Sequence, residues 1–271
     1  MPDPSAVENV FAVFADLREE GRELDSLVGD LPDADWAKPT PAPGWSLAHQ
    51  IAHLHWTDRS SLLALTDATA FAGLVEEALK APDSFVDAGA EEGAALAPAE
   101  LLARWRACRA ALDEALAAAS PDAKFPWYGP PMKAASMASA RLMETWAHGQ
   151  DVADALGVHR VPTARLRHVA RIGVRARDYA YAVRGLPAPA QEFRVELTAP
   201  GDRAEVWTYG PGDAPQRVTG PALDFCLLVT QRAHRADLSL TASGPDADRW
   251  LDIAQAFAGP AGPGRAPGAS R

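Results

Sequence analysis

Along the first half of the chain, apolar residues return at helical spacing. Over residues 5–29, Val7, Val10, Phe11, Phe14, Leu17, Leu24 and Leu27 share one face and predict an amphipathic helix, with Ser5 as its cap. Pro32, Pro39, Pro41 and Pro43 then enforce an extended connector. A second helix is expected after Gly44-Trp45 with Ser46 as N-cap, its apolar series being Leu47, Ile51, Leu54, Leu62, Leu63 and Leu65. Further helices are predicted over about 68–80, from Pro98 to about 119 on Leu101, Leu102, Trp105, Leu112 and Leu116, and from Lys133 to Leu156, stopped by Gly157. The Pro/Gly-rich stretch 120–134, with Trp127 and Tyr128, reads as a loop. These elements make an antiparallel helical bundle.

Beyond residue 160 the periodicity changes. One more helix, about 163–184, precedes segments that alternate apolar and polar residues as half-buried strands do: 193–198, 204–209, the short 216–219 and 238–242. A turn at Gly201-Asp202 joins the first two, and helices are predicted from Pro221 to about 231 and from Asp246 to Ala258. This reads as a small α+β unit. The expected organisation is a bundle over 1–160, an α+β domain over 161–258 and a mobile Gly/Pro-rich tail over 259–271.

The chain has 271 residues with 48% hydrophobic and 23% charged, which suits a globular protein with a sizeable core. A formal net charge of −10 argues against nucleic acid as a partner. The arginines between Arg160 and Arg177 alternate with apolar residues and read as a solvated helix face. The two cysteines, Cys108 and Cys226, lie far apart, outside any metal-binding spacing and amid apolar residues, and read as inert thiols. There is no basic start followed by an apolar run and no stretch long and apolar enough for a membrane span. The expectation is a cytoplasmic protein, monomeric or homodimeric, that meets a small molecule and neither membrane nor nucleic acid.

The candidate chemistry lies on two helices. His49, His53 and His55 crowd the second, and Glu144 and His148 stand four residues apart on the fifth. Residues four apart share a helical face, so Glu144 and His148 can present two ligands to one metal, with a third from a facing helix. Three protein ligands leave a coordination position open, as catalytic sites require. The same spacing also occurs in surface pairs. Asp151 is a candidate carboxylate for orienting a ligand or for capping a turn. His55 points to another face than His53. Trp45, Trp56 and Trp146 read as packing residues, with Trp56 and Trp146 also placed to line a pocket; Trp127 and Tyr128 suit either a lid or a loop packed on the bundle.

Two runs carry a family resemblance. The segment Trp36-Ala37-Lys38-Pro39-Thr40-Pro41-Ala42-Pro43-Gly44-Trp45-Ser46, leading into Ala52-His53-Leu54, resembles the N-terminal signature of the DinB / mycothiol-dependent maleylpyruvate isomerase superfamily. The segment Glu144-Thr145-Trp146-Ala147-His148-Gly149-Gln150-Asp151-Val152-Ala153 resembles that family's second signature. Two signatures in the right order are more specific than either alone. The resemblance implies a DinB-like four-helix bundle followed by a sterol-carrier-like α+β domain, mainly α in class, with a divalent metal on His53, Glu144 and His148. Zinc is the ion it implies, although two histidines and a carboxylate also suit iron, nickel or manganese. The C-terminal part resembles an uncharacterised actinobacterial metal-binding branch, through residues 224–232 and 250–260. In the isomerases a Thr-Gly-Arg run supplies an arginine for the substrate carboxylate. Here Thr230-Gln231-Arg232 stands in its place, which makes Arg232 the matching residue and removes the glycine. His49, where many relatives carry an acidic residue, is a second candidate for the pocket.

The function implied is a metal-dependent enzyme on a small molecule: an isomerase or S-transferase that uses mycothiol, the low-molecular-weight thiol of actinobacteria. Two other classes stay open. One is a thiol-independent metal-dependent hydrolase, isomerase or cyclase of a secondary metabolite; the other is a non-catalytic, metal-dependent small-molecule-binding protein.

Overall fold

The computed structural model describes residues 4–82, 84–201 and 205–268, with side chains from Ala12 onward. Ser5, Val7, Val10 and Phe11, expected to open the first helix, fall outside the described side chains, as do Asp202 and Ala204 at the second-half turn and strand. The chain divides into two compact units, Met1–Val158 and His159–Arg271.

The first unit holds α1 (Pro4–Val28), α2 (Leu47–Thr66), α3 (Ala68–Lys80), α4 (Phe85–Ala94), α5 (Pro98–Ala118), the two-residue strands β1 (Lys124–Phe125) and β2 (Met132–Lys133), and α6 (Ala134–Leu156). The long helices α1, α2, α5 and α6 pack on one another as the expected bundle, and α2 lies at the centre, touching α3, α4, α5 and α6. Its apolar face explains this: Leu47, Ile51 and Leu54 are fully buried with Leu24 of α1, Leu101 and Trp105 of α5 and Val152 of α6. Burial of side chains this large contributes roughly 1.5–3 kcal/mol each, which fixes the rotation of α2 about its own axis. Gly157 ends α6 in the left-handed conformation, φ 66, where glycine meets no Cβ penalty. Two features depart from expectation. Residues 120–134 contain the β1–β2 hairpin within the expected loop, and α4 occupies a stretch with no periodic apolar signal.

The second unit holds α7 (Leu166–Arg175), α8 (Arg177–Ala182), β3 (Phe193–Thr198), β4 (Val206–Tyr209), β5 (Gln216–Pro221), α9 (Ala222–Val229), β6 (Thr241–Ser243) and α10 (Pro245–Ile253). The strands form one mixed sheet in the order β4-β3-β5-β6, with β3 and β5 parallel and the other pairs antiparallel. Phe193, Val195 and Leu197 alternate into the core. Trp250 of α10 meets Phe193 and Phe225 edge-on at 5.6 and 5.7 Å. Gln216 accepts hydrogen bonds from the Asp246 and Ala247 amides, capping α10 from the sheet. The helix expected over 163–184 is broken at Ala176 into α7 and α8. The last strand, expected over 238–242, begins only at Thr241; a 3₁₀ turn at Arg235–Asp237 capped by His234 precedes it, and the Ser239 amide donates to Asp224 Oδ2. In the Gly/Pro-rich segment of this unit, Gly259 hydrogen-bonds with Tyr179 and Gly268 with Asp237. No helix among the described residues is long and apolar enough to cross a membrane.

Candidate metal centre

The proline-rich connector sets the entrance to α2. Pro39 bridges Ser46, the Thr40 amide donates to the Trp45 carbonyl at 2.8 Å, and Gly44 turns the chain at φ 79. Ser46 caps α2, its amide donating to His49 Nδ1 at 3.2 Å. This turn places the Trp45 indole beside two histidine rings. Its ring centre lies 5.2 Å from that of His53, and 5.9 Å from that of His148 in a nearly parallel stack.

His53 on α2 and Glu144 and His148 on α6 converge. One donor atom from each lies within 4.8 Å of the others, the single such group of ligating residues among those described. Both imidazoles address one carboxylate oxygen: Glu144 Oε2 is 3.2 Å from His53 Nε2 and 3.4 Å from His148 Nε2. The histidines are nearly buried, while the Glu144 side chain stays 25% exposed, so the cluster can be reached from solvent. Burial pushes the Glu144 carboxyl upward, but the hydrogen bonds and charge of His148 and His53 outweigh it and hold the group well below the usual carboxylate range. Two nitrogens and an oxygen form a donor set that zinc and other first-row divalent ions accept. Were both imidazoles neutral with their Nε2 lone pairs turned inward in place of those N–H groups, all three groups would be acceptors facing one another. That arrangement needs a cation between them, and the residues therefore fit a divalent metal.

The surroundings are aromatic and acidic. Trp56 stacks near His53 at 6.1 Å, and itself meets Phe85 and Tyr128. Trp45 Nε1 donates to Asp87 on α4 at 3.2 Å. Trp45, read from the sequence as packing, is thus a wall of the site. Trp127 and Tyr128 pack on the bundle through Phe71, and Tyr128 meets Ser60 at 3.2 Å.

The other candidates sit as follows. His49 lies outside the cluster: its Nδ1 closes the start of α2, and its Nε2 is 3.3 Å from Glu91 Oε1. His55 is half-buried, and burial, with Arg59, lowers its pKa. Asp151 and Trp146 are buried on α6. Arg232, in the second unit, donates from Nη1 to the Thr230 carbonyl at 2.7 Å. Gln231 beside it has φ 60, the one non-glycine left-handed residue among those described. Burial raises the Cys108 thiol to about 12 and pushes Cys226 up as well, so neither is poised as a thiolate. Arg167, Arg171 and Arg175 are exposed, as the alternating pattern suggested.

Sequence reading missed Gln50. It is fully buried, accepts from His148 Nδ1 at 2.6 Å and donates to Thr40 Oγ1 at 2.8 Å. A single glutamine in a helix carries no spacing signal; only the His-Gln pair across two helices reveals it.

Residues 17–153 match the family described as the mycothiol maleylpyruvate isomerase N-terminal domain. Residues 189–243 match a second description, wyosine base formation. Two proteins of Mycobacterium tuberculosis, one from each of two strains and both named as uncharacterized, are 59% identical over 251 residues, covering 93% of this chain and 97% of theirs. Among solved structures, the crystal structure of the mycothiol-dependent maleylpyruvate isomerase aligns with a TM-score of 0.59 at 17% identity, covering 86% of this chain and 92% of that one. A histidine-to-alanine mutant of that enzyme aligns with a TM-score of 0.58. At such identity the likeness speaks for the fold.

Proposed function

The chain belongs to the mycothiol maleylpyruvate isomerase N-terminal domain family, and from that premise we propose that it is a divalent-metal-dependent isomerase or S-transferase that uses a small thiol, mycothiol, on a small electrophile. The observation that carries this reading is the convergence of His53, Glu144 and His148 within 4.8 Å. These three residues would hold a divalent metal, zinc among the ions that accept this donor set. A divalent ion in such a site lets a thiol lose its proton near neutral pH.

The chain's own residues supply the rest. Glu144 stays ionised and contributes negative charge to the site. Trp45 lies against both imidazoles and Trp56 against that of His53; they limit water around the rings and offer flat apolar faces to a bound molecule. Asp87 holds the Trp45 ring in place. In the isomerase form of the reaction, a thiolate bonds to one carbon of an activated cis double bond, the resulting single bond rotates, and the carbon–sulfur bond breaks to release the trans isomer and the thiolate.

A second reading, a thiol-independent metal enzyme, is favoured by one observation. The Thr-Gly-Arg run of the isomerases is Thr230-Gln231-Arg232 here, so the glycine beside the matching arginine is replaced by a larger side chain.

The test is conversion of maleylpyruvate by the zinc-loaded protein, followed by proton NMR with and without mycothiol, and in parallel the consumption of mycothiol by an electrophile. Trans product, or an S-conjugate, formed only with mycothiol is the expected result. Conversion without mycothiol moves the function to the second reading. Retention of the small molecule with no turnover under either condition contradicts both, and leaves a binding protein.

A further inference from the structure

A chain of hydrogen bonds behind the metal centre dictates where His148 carries its proton. Thr40 has one hydroxyl proton, and it goes to the Trp45 carbonyl at 2.9 Å. Toward Gln50 Nε2, 2.8 Å away, Thr40 Oγ1 can therefore only accept. The Gln50 amide is thus oriented with its NH2 to Thr40 and its carbonyl Oε1 to His148 Nδ1, at 2.6 Å. A carbonyl oxygen only accepts, so Nδ1 must donate. A neutral imidazole has a single N–H, which leaves the lone pair on Nε2, the nitrogen that faces Glu144. Gln50 is fully buried, so bulk water cannot take its place. His53 differs: its Nδ1 is buried without a hydrogen-bond partner, and nothing comparable sets its tautomer.

We infer that Gln50 is a positioning residue that locks His148 in the Nδ1–H tautomer and so presents the Nε2 lone pair to the metal, with Thr40 and the Trp45 carbonyl fixing the orientation of the Gln50 amide. The proline-rich run between α1 and α2 therefore has a chemical task besides shaping the chain: it places Thr40 under Gln50. The inference rests on the metal reading above for its consequence, and on the hydrogen bonds alone for the tautomer.

Two measurements test it on the full chain. In metal-free ¹⁵N-labelled protein at about pH 8, where free imidazole is neutral, long-range proton–nitrogen correlation reads the His148 tautomer directly. The expected pattern is a protonated Nδ1; an Nδ1 without its proton, with the hydrogen on Nε2 alone, overturns the inference. Zinc affinity is then measured by competition with a chromophoric chelator. Gln50→Leu removes the acceptor and is expected to weaken zinc by about 10–100-fold, whereas Gln50→Glu, which still accepts from Nδ1, keeps the affinity within about tenfold. Zinc binding by a folded Gln50→Leu variant within about twofold of the unaltered protein also overturns it. Should Gln50→Leu fail to fold, Thr40→Val serves instead: it frees the amide to turn, and a mixture of His148 tautomers is expected where the inference holds. Failure of the unaltered protein to bind zinc would sink the metal reading, while the tautomer spectrum would still decide this one.

Discussion

The indole of Trp56 lies flush against the backbone of Gly89: a methyl group at that glycine would stand 2.7 Å from Cδ1 and Nε1 of the ring. Helix α4 is thereby tied to the side chain that flanks His53. A Gly89→Ala variant must move the indole or the helix, and is expected to destabilise the protein by about 1–3 kcal/mol. Gly73 on α3 is the control, since a methyl group there meets nothing within 4 Å. Gly73→Ala is expected to stabilise by about 0.5–1 kcal/mol through helix propensity. Urea denaturation of the two variants should give shifts of opposite sign.

Helix α4 also shows where sequence reading stops. Residues 85–94 carry two glycines and several alanines and no apolar stripe, because the helix packs by close approach; a methyl at Gly93 would meet Ala52 Cβ at 2.7 Å. Packing through small residues leaves no periodicity to detect. The long helices were readable because Leu47, Ile51, Leu54, Leu101 and Trp105 each announce a buried face. His53, Glu144 and His148 were readable through two family signatures, although spacing alone left a surface pair open. Gln50 was not, since its role depends on Thr40 ten residues before it and His148 ninety-eight residues after it. The break between α7 and α8 falls at Ala176, with no proline or glycine there to mark it.

Beside the metal centre, Arg141 of α6 and Asp58 of α2 form a buried ion pair at 2.9 Å, with side chains 2% and 5% exposed. Removing one partner leaves the other charged without compensation. Arg141→Met is expected to cost about 3–5 kcal/mol in denaturation. Glu100→Ala, which breaks the exposed pair with Arg104, should change stability by about 0.5 kcal/mol or less. Comparable effects from the two substitutions would contradict the assignment of the inner pair as the tie between α2 and α6.

Asp113 on α5 gives a pH dependence. Burial pushes its carboxyl up to about 6 from the model-peptide value of 3.8, against the pull of Arg18 and Arg109. The folded state thus prefers the neutral acid. Its contribution is fully present below the unfolded value and is lost as pH rises from about 4 through about 6. Asp113→Asn should therefore leave the melting temperature unchanged near pH 4 and raise it at neutral pH by on the order of 1–2 °C, since the half-exposed group is screened by solvent. An equal shift at both pH values would contradict the burial of this carboxyl.

Gln231 holds φ 60, a conformation that disfavours side chains other than glycine. Gln231→Gly should stabilise the protein by up to about 1 kcal/mol, and Gln231→Ala should not. Thermal melts of the pair decide whether the backbone conformation, rather than the loss of the glutamine side chain, governs the outcome.

The central claim is that His53, Glu144 and His148 hold a divalent metal, and the metal content of purified protein tests it most directly. After reconstitution with zinc and removal of excess, the unaltered chain should carry about one equivalent, and His53→Ala and His148→Ala should carry almost none while keeping the helical circular dichroism of the fold. No metal in the unaltered chain, or the same content in all three proteins, would contradict the account.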